Sequence, residues 1–385
     1  MSKIPGFMMS FALLAALSAN AEEVVSSIKV EAWGKLPTGE EVQLYTLANE
    51  KGMSVSISNY GGLITSLIVP DKDGNPGDVV LGFDTLEGYL AGSPYFGALV
   101  GRYGNRIANG EFVIDGTKYN VTKNENGITN IHGGNVGFDK KIWTVEPGEN
   151  EKATWLKLSL VSPDGEEGFP GNLSVSVSYI LPREHNSLIV LYTAQTDKAT
   201  PINLTQHSYF NLKGAGNGDI LDHIVTIDAD SITPVDKTLI TTGELMPVEG
   251  TAFDFRTPTA IGKRIDADEE QIKNGGGYDH NWVLNMSETE PVTRAAIVTE
   301  PTTGRRLEVL TTEPGVQFYC GNFLDGTLKG KGGKVYGKRY GFCLETQHFP
   351  NSPNIAAFPS TILRPGQEYK TATVFRFLVE GQTEK

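Results

Sequence analysis

The sequence predicts an all-β protein, folded as a large antiparallel β-sandwich or barrel with few short helices. Three observations support this fold class. Apolar and polar residues alternate with a period of two along many segments, as they do in half-buried antiparallel strands. Turn-forming residues are frequent, with 44 glycines and 20 prolines in 385 residues. Helical periodicity is confined to two short segments, near residues 85–91 and 259–272.

The alternating segments occur along most of the chain. Residues 172–181 show the pattern most clearly, because apolar side chains there face one side and serines mostly face the other. The apolar positions of the predicted strands are, in chain order, Met53, Val55 and Ile57; Leu156, Leu158 and Leu160; Leu173, Val175, Val177 and Tyr179; and Leu188, Val190 and Tyr192. Turns separate these runs, for example at residues 71–77, 115–116 and 164–165.

Nothing in the sequence divides the chain after residue 21. No repeat of 20–50 residues and no low-complexity linker is visible. We therefore predict a single β-sandwich domain over residues 22–385, although one core usually stops growing at ~250–300 residues. A barrel split into two subdomains is the alternative.

The acidic composition restricts the possible partners. The formal net charge is −13 at pH 7, and such a surface repels DNA, RNA and anionic lipid. Neutral sugars or cations would approach unhindered. We expect no nucleic-acid partner, no membrane partner once the N-terminal segment is removed, and a monomer or homodimer.

The N-terminus has the pattern of an export signal. Lys3 supplies a positive charge, residues 7–17 form a short apolar run, and Ala19-Asn20-Ala21 fits the small-residue cleavage pattern. The run is shorter than the ~20 residues that span a bilayer, which argues against a membrane anchor. A retained anchor is nevertheless the alternative. We predict a signal peptide over residues 1–21 and a mature protein in the periplasm or outside the cell.

Two cysteines, Cys320 and Cys343, lie in apolar, strand-like runs. An exported protein with two cysteines has the option of one disulfide. Buried free thiols are also common in such runs. The sequence leaves both possibilities open.

His207 and Glu345 are the strongest candidates for chemistry. Each is a polar residue set in an otherwise apolar strand, and a histidine with a carboxylate is suited to acid–base catalysis near neutral pH. Burial after Phe342 and Leu344 would raise the pKa of Glu345, as a general base requires. The alternatives are a structural histidine and an exposed glutamate at a strand end.

Weaker candidates surround these two. His132 lies at a glycine-rich turn that permits close approach of a ligand. Arg102 and Arg106 lie in another glycine-rich segment. An arginine there either binds sugar hydroxyls or pairs with a carboxylate of the fold. Aromatic residues such as Tyr95 and Tyr209 stand among polar ones, as sugar-binding surfaces require, although core packing also explains them.

No metal site is predicted. The six histidines fit no local ligand motif. Glu345 and His348 are three residues apart, as helical ligand pairs are, but the segment reads as a strand and Pro350 follows.

Taken together, several segments resemble the aldose 1-epimerase (galactose mutarotase) family over almost the whole mature chain. The matching segments are Asn59-Tyr-Gly-Gly62, Asp78-Val-Val-Leu-Gly-Phe83, Gly101-Arg-Tyr-Gly-Asn-Arg-Ile-Ala-Asn-Gly110, Ile131-His-Gly-Gly134, Asn203-Leu-Thr-Gln-His-Ser-Tyr-Phe-Asn-Leu212, Tyr278-Asp-His-Asn281, Glu313-Pro-Gly-Val-Gln-Phe-Tyr319 and Leu344-Glu-Thr-Gln-His348. They follow one another in the family's order. The exported N-terminus is a departure, since the familiar members act in the cytoplasm.

The resemblance implies a galactose mutarotase-like supersandwich and a cofactor-free isomerase of free monosaccharides. It implies that Glu345 is the general base and His207 the general acid, with His132 helping at the ring oxygen. The implied sugar-binding residues are Arg106, Asp279, Gln317 and Asn105. The implied reaction opens the sugar ring and closes it as the other anomer.

Other functions remain compatible with the residues alone. A glycoside hydrolase would use two carboxylates, which Glu345 and Asp279 supply. A phosphosugar epimerase would need a basic cluster, and only Arg102 and Arg106 are at hand. A noncatalytic carbohydrate-binding protein would need the aromatic residues and an arginine, but not His207 and Glu345 together. The preferred sugar is not encoded in any motif.

Overall fold

The computed structural model describes residues 27–379 and residue 381. The predicted signal peptide, residues 1–21, lies outside the described residues. Strands make up most of the regular structure. In chain order they are β1 (Ile28–Lys35), β2 (Glu41–Ala48), β3 (Ser54–Ser58), β4 (Ile64–Pro70), β5 (Pro76–Asp78), β6 (Ala98–Val100), β7 (Arg106–Ile107), β8 (Glu111–Ile114), β9 (Thr117–Asn120), β10 (Asn130–Ile131), β11 (Thr144–Glu149), β12 (Ala153–Ser162), β13 (Leu173–Pro182), β14 (Ser187–Thr196), β15 (Thr200–Pro201), β16 (Thr205–His207), β17 (Ile224–Ile227), β18 (Ala229–Thr233), β19 (Met246–Pro247), β20 (Thr259–Ala260), β21 (Asp279–Leu284), β22 (Thr293–Thr299), β23 (Arg305–Thr311), β24 (Gly315–Tyr319), β25 (Cys343–Gln347), β26 (Ile362–Leu363) and β27 (Tyr369–Val379).

Helices are few and short in the described part of the chain. They are α1 (Leu86–Leu90), α2 (Glu270–Gly275) and single 3₁₀ turns at Ala108–Gly110, Phe138–Lys140, Glu166–Gly168, Ile261–Lys263, Lys331–Gly333 and Ser352–Asn354. None of these helices is long and apolar enough to cross a membrane.

The helix predictions are confirmed only in part. Helix α1 lies inside the predicted segment 85–91. The predicted helix over residues 259–272 is wrong for most of its length, because Ala260 pairs with Ile224 of β17 as a strand residue, residues 264–266 form a turn and residues 267–269 are not helical. Asp266 there binds the guanidinium of Arg339. These tertiary contacts override a local helical pattern.

The strands form a sandwich of antiparallel sheets. The larger layer, counted over the described residues, is a nine-stranded sheet with the order β11-β12-β13-β14-β27-β23-β22-β17-β20. The facing layer contains two five-stranded sheets, β1-β2-β3-β4-β5 and β19-β18-β21-β24-β25. Short strand β16 pairs with β6, and a bridge between Phe210 and Phe342 ties this pair to the start of β25.

Side-chain alternation builds the core between the layers. Along β13 the predicted positions from Leu173 to Tyr179 are buried. The serines between them are partly or fully exposed. The main apolar cluster runs from Tyr45 to Phe377 and includes Leu158 of the larger sheet and Phe318 of the facing one. The all-β sandwich is therefore confirmed. The single domain over residues 22–385 stays a prediction.

Candidate active site

His207 and Glu345 meet on the facing layer, where β16 lies beside β25. The Nε2 atom of His207 is 3.5 Å from Oε1 of Glu345. Both residues are buried, with 4% and 2% of their surface exposed. The two best candidates from the sequence are thus brought together by strands from distant parts of the chain.

The alternation of β25 explains why Glu345 faces the site. Its neighbour Leu344 points the other way into the main core, and the Thr346 hydroxyl is 2.5 Å from that of Thr373 on the larger sheet. Glu345 therefore lies on the outward face together with Cys343, two residues earlier. The strand anchors the carboxylate through its opposite, buried face.

Burial gives this pair unusual proton affinities. The pKa of Glu345 is well above its ordinary value because of burial and the nearby carboxylate of Asp279, against which Arg106 acts in the opposite direction. Burial lowers the pKa of His207 to about 4. Both shifts favour the uncharged forms, a neutral His207 imidazole and a protonated Glu345 carboxyl.

His132 completes the group, and Asn105 holds it. The backbone N–H of His132 donates to the Asn105 carbonyl (3.1 Å), and the Asn105 N–H donates to Nδ1 of His132 (3.2 Å). Strand β10, which precedes His132, pairs with β7, so the turn is fixed next to Arg106. The His132 ring meets the His207 ring edge-on, with centroids 5.1 Å apart.

The hydrogen bond at Nδ1 decides the tautomer of His132. Burial, and to a lesser degree the charges of His207 and Arg106, lower its pKa well below the ordinary value, so the ring is neutral. Because Nδ1 accepts from Asn105, the single proton of the neutral ring is on Nε2. His132 is therefore a hydrogen-bond donor.

The donor set suits proton transfer better than a metal ion. Donor atoms of His132, His207 and Glu345 lie within 4.8 Å of one another, a spacing that a metal would also use. A metal bound at Nε2 of His132 would, however, leave the ring proton on Nδ1. That proton would point at the Asn105 N–H, which now donates to Nδ1. The arrangement favours acid–base chemistry.

The two arginines of the glycine-rich segment have different roles. Arg106 forms a bidentate pair with Glu125, with Nε–Oε2 and Nη2–Oε1 distances of 2.9 and 2.8 Å. Burial opposes its charge, but Asp279 and Glu125 raise its pKa above the ordinary value. Arg102 instead donates to buried backbone carbonyls of residues 162, 163, 170 and 171. Arg106 therefore lies near the candidate site residues Asp279 and Glu345, whereas Arg102 is engaged by the backbone of the fold.

Gln317 lies on the strand next to Glu345, and Asp279 lies on the strand after that. Gln317 of β24 is directly opposite Glu345 of β25, and its Nε2 donates to Oδ1 of Asp279 (2.7 Å). Burial raises the pKa of Asp279, while Arg106 and Gln317 oppose that rise. Oε2 of Glu345 and Oε1 of Gln317 are buried without a hydrogen-bond partner among the described residues. These polar atoms are available to the hydroxyls of a ligand.

Sequence reasoning missed two residues of the site. Glu125, which orients Arg106, stands in a polar loop where nothing marks it. The sequence offers Cys343 as a disulfide partner or a buried free thiol and indicates no role in the site, yet its Sγ lies 3.6 Å from Nδ1 of His207. Tyr95 and Tyr209 are packed against the His207 ring, at centroid distances of 5.7 and 5.2 Å.

Two other sequence candidates, Cys320 and His348, lie on the side of the sheet opposite Glu345. Cys320 and Cys343 are both free thiols. Tyr319 is the cross-strand neighbour of Cys343, so Cys320 faces the opposite side of the sheet. His348 also faces away from Glu345 and pairs instead with Glu313, at 2.5 Å.

Comparisons with known proteins place the chain in a family. The family model described as aldose 1-epimerase matches residues 43–376. A galactose mutarotase of Rattus norvegicus is 50% identical over 354 residues, which is 92% of this chain and 99% of the relative. The galactose mutarotase of Homo sapiens is 49% identical over 92% of this chain and 100% of its own length. An aldose 1-epimerase of Escherichia coli is 38% identical over 89% and 97% of the two chains.

Solved structures show the same fold. A crystal structure of galactose 1-epimerase from Lactobacillus acidophilus superposes with a TM-score of 0.80 at 28% identity, covering 91% of this chain and 98% of that chain. An aldose epimerase homologue from C. elegans gives a TM-score of 0.79 at 29% identity, covering 87% and 98%.

Proposed function

The chain belongs to the aldose 1-epimerase family, and we propose that its His207 and Glu345 carry the proton transfers that interconvert the α and β anomers of a free aldose. The protein is a carbohydrate isomerase, and its relatives act on free sugars. The observation that carries the assignment of the two residues is their 3.5 Å contact in a buried site. A hemiacetal has two oxygens on one carbon, so an acid and a base this close serve both at once.

Ring opening uses the pair as base and acid. With the shared proton on His207, Glu345 is a carboxylate and takes the proton of the anomeric hydroxyl. His207 gives its proton to the ring oxygen as the bond between that oxygen and C1 breaks. The products are an open-chain aldehyde, a protonated Glu345 and a neutral His207.

Ring closure reverses these transfers on the other carbonyl face. After rotation about the C1–C2 bond, Glu345 returns its proton to the carbonyl oxygen, and His207 removes the proton of the attacking hydroxyl. The pair ends as it began, so no proton from solvent is needed. The neutral pair favoured by burial in the structure is the form that accompanies the open chain.

The surrounding residues hold the sugar through the open-chain state. His132 donates from Nε2 towards the ring oxygen. Arg106, Asp279, Gln317 and Asn105 bind hydroxyl groups, which keeps the aldehyde in reach while the C1–C2 bond rotates. Glu125 fixes the orientation of the Arg106 guanidinium, which supports this binding role.

Polarimetry of freshly dissolved α-D-glucose and α-D-galactose tests the proposal. The purified protein is expected to speed the approach to the same final rotation, relative to buffer-matched spontaneous mutarotation. The names of the mammalian relatives make galactose the first sugar to try. Absence of acceleration with hexoses and pentoses would overturn the proposal.

We also propose that the protein is exported and acts in the periplasm or outside the cell, on sugars released there. Lys3, the apolar run over residues 7–17 and Ala19-Asn20-Ala21 support this. N-terminal mass spectrometry of fractionated cells is expected to find a chain that begins at Glu22 outside the cytoplasm. An intact N-terminus in the cytoplasmic fraction would overturn this proposal.

We expect the protein to be a monomer or a homodimer. Analytical ultracentrifugation distinguishes the two.

A further inference from the structure

Strand β25 contacts both ring nitrogens of His207. Glu345 lies against Nε2, and Cys343, two residues earlier on the same face, lies with Sγ 3.6 Å from Nδ1. The larger radius of sulfur makes this a hydrogen-bonding distance. A single strand therefore presents the two partners of the catalytic imidazole.

The plane of the ring is set by aromatic neighbours. Tyr209 stacks on it with planes 29° apart, and Tyr95 approaches from a centroid distance of 5.7 Å. His132 meets it edge-on. These contacts hold the ring plane but do not distinguish Nδ1 from Nε2. That distinction rests on Cys343 and Glu345.

The thiol of Cys343 stays protonated. Burial and the neighbouring Glu345 raise its pKa well above the ordinary value. A neutral thiol both donates and accepts weak hydrogen bonds. It accepts from Nδ1–H when His207 is an imidazolium, and it still accepts from Nδ1–H after the ring has given its Nε2 proton to the sugar.

We propose that Cys343 is a positioning residue for His207: it keeps Nε2 directed at Glu345 and the sugar, and it serves Nδ1 in both protonation states. The inference rests on the proposed function. A carboxylate at this position would stabilise the imidazolium and hold the proton on the ring. A thiol has no such bias, which suits a histidine that gives up and regains a proton in every turnover.

The groups that face His207 are few, so the effect of Cys343 is separable. They are Glu345 and Cys343 from β25, His132 from the turn after β10, Tyr209 after β16 and Tyr95 after α1. Beyond these groups, Asp279 raises the pKa of Glu345 and Arg106 lowers it.

Three variants test the inference by mutarotase kinetics. Cys343→Ala removes the partner of Nδ1, and Cys343→Ser supplies a hydroxyl that donates and accepts. Cys320→Ala is the matched control, since Cys320 is an equally buried free thiol of the main core on the opposite face of the sheet. We expect kcat to fall about tenfold in Cys343→Ala, less than the ~10²–10⁴-fold that an acid–base group itself contributes, with KM little changed. Cys343→Ser is expected to recover most of the loss, and Cys320→Ala to match the unmodified protein.

Two further readouts separate positioning from a loss of fold. In Cys343→Ala the limb of the kcat–pH profile due to His207 is expected to move to lower pH, because the imidazolium loses its acceptor at Nδ1. The ¹⁵N NMR shifts of His207 are expected to show mixed tautomers in this variant alone. Circular dichroism checks that each variant is folded.

Failure of this inference is distinguishable from failure of the proposed function. If Cys343→Ala keeps kcat within about twofold and leaves the pH profile and His207 tautomer unchanged, the inference is overturned while the unmodified protein still accelerates mutarotation. If the unmodified protein shows no acceleration over Glu345→Gln, the proposed function fails. Equal losses in Cys320→Ala and Cys343→Ala would also overturn the positioning role.

Discussion

The carboxylate of Glu345 lies 3.5 Å from Nε2 of His207, although the two residues belong to strands far apart in the chain. Both are buried, and burial shifts their pKa values in opposite directions, upwards for the acid and downwards for the imidazole. Burial therefore favours the form in which both groups are uncharged, with the proton on Glu345. In the proposed reaction this form accompanies the open-chain aldehyde.

Replacing Glu345 by Gln removes the base and keeps the shape of the side chain. We expect kcat for mutarotation to fall by ~10²–10⁴-fold, the contribution of a positioned acid–base group. Polarimetry measures the rate, and circular dichroism shows whether the fold is intact. Rates equal to those of the unmodified protein would contradict the assignment of Glu345.

Replacing Arg106 by Lys keeps the charge but loses the bidentate fork to Glu125. We expect KM for the sugar to rise about tenfold, since hydrogen bonds to a charged group contribute ~1.5–3 kcal/mol each. Initial rates over a range of sugar concentrations measure KM. A fall confined to kcat, with KM unchanged, would argue against a binding role for Arg106.

Replacing Arg102 by Met is expected to affect stability instead. The guanidinium of Arg102 satisfies several buried carbonyls, which the variant leaves without donors. We expect a loss of about 3 kcal/mol in the free energy of unfolding, as a buried unsatisfied acceptor costs ~1–3 kcal/mol. Urea denaturation measures it. A variant as stable as the parent but with a raised KM would place Arg102 in the site after all.

Buried histidines make stability depend on pH. Burial lowers the pKa of His223 to about 4, so below its ordinary value of 6.5 the unfolded chain binds more protons than the folded one. Stability is therefore full above pH ~6.5 and falls towards pH 4, with a loss of about 2 kcal/mol from this group between pH 7.5 and 5.

The matched variant for this prediction is His223→Gln. It keeps an acceptor for the Leu212 N–H and lacks the titrating ring. Its free energy of unfolding is expected to fall less between pH 7.5 and 5 than that of the parent protein. Parallel curves for the two proteins would show that the pKa of His223 is close to its ordinary value.

Local patterns predicted the strands and selected the candidate site residues. Side-chain alternation depends only on the period of an extended chain, so the buried face of β13 was readable from Leu173 to Tyr179. The polar interruptions at His207 and Glu345 stood out against the same pattern. The motifs around them then placed the chain in its family, which the comparisons confirm.

Pairing between distant strands determined the remaining features. The roles of Glu125 and Cys343, the division of labour between Arg106 and Arg102, and the non-helical residues 264–269 all arise from contacts across the fold. Such contacts follow from strand order and register, which no local period encodes. The shifted proton affinities of His207 and Glu345 also required the structure, because burial and neighbouring charge, rather than residue type, set a pKa.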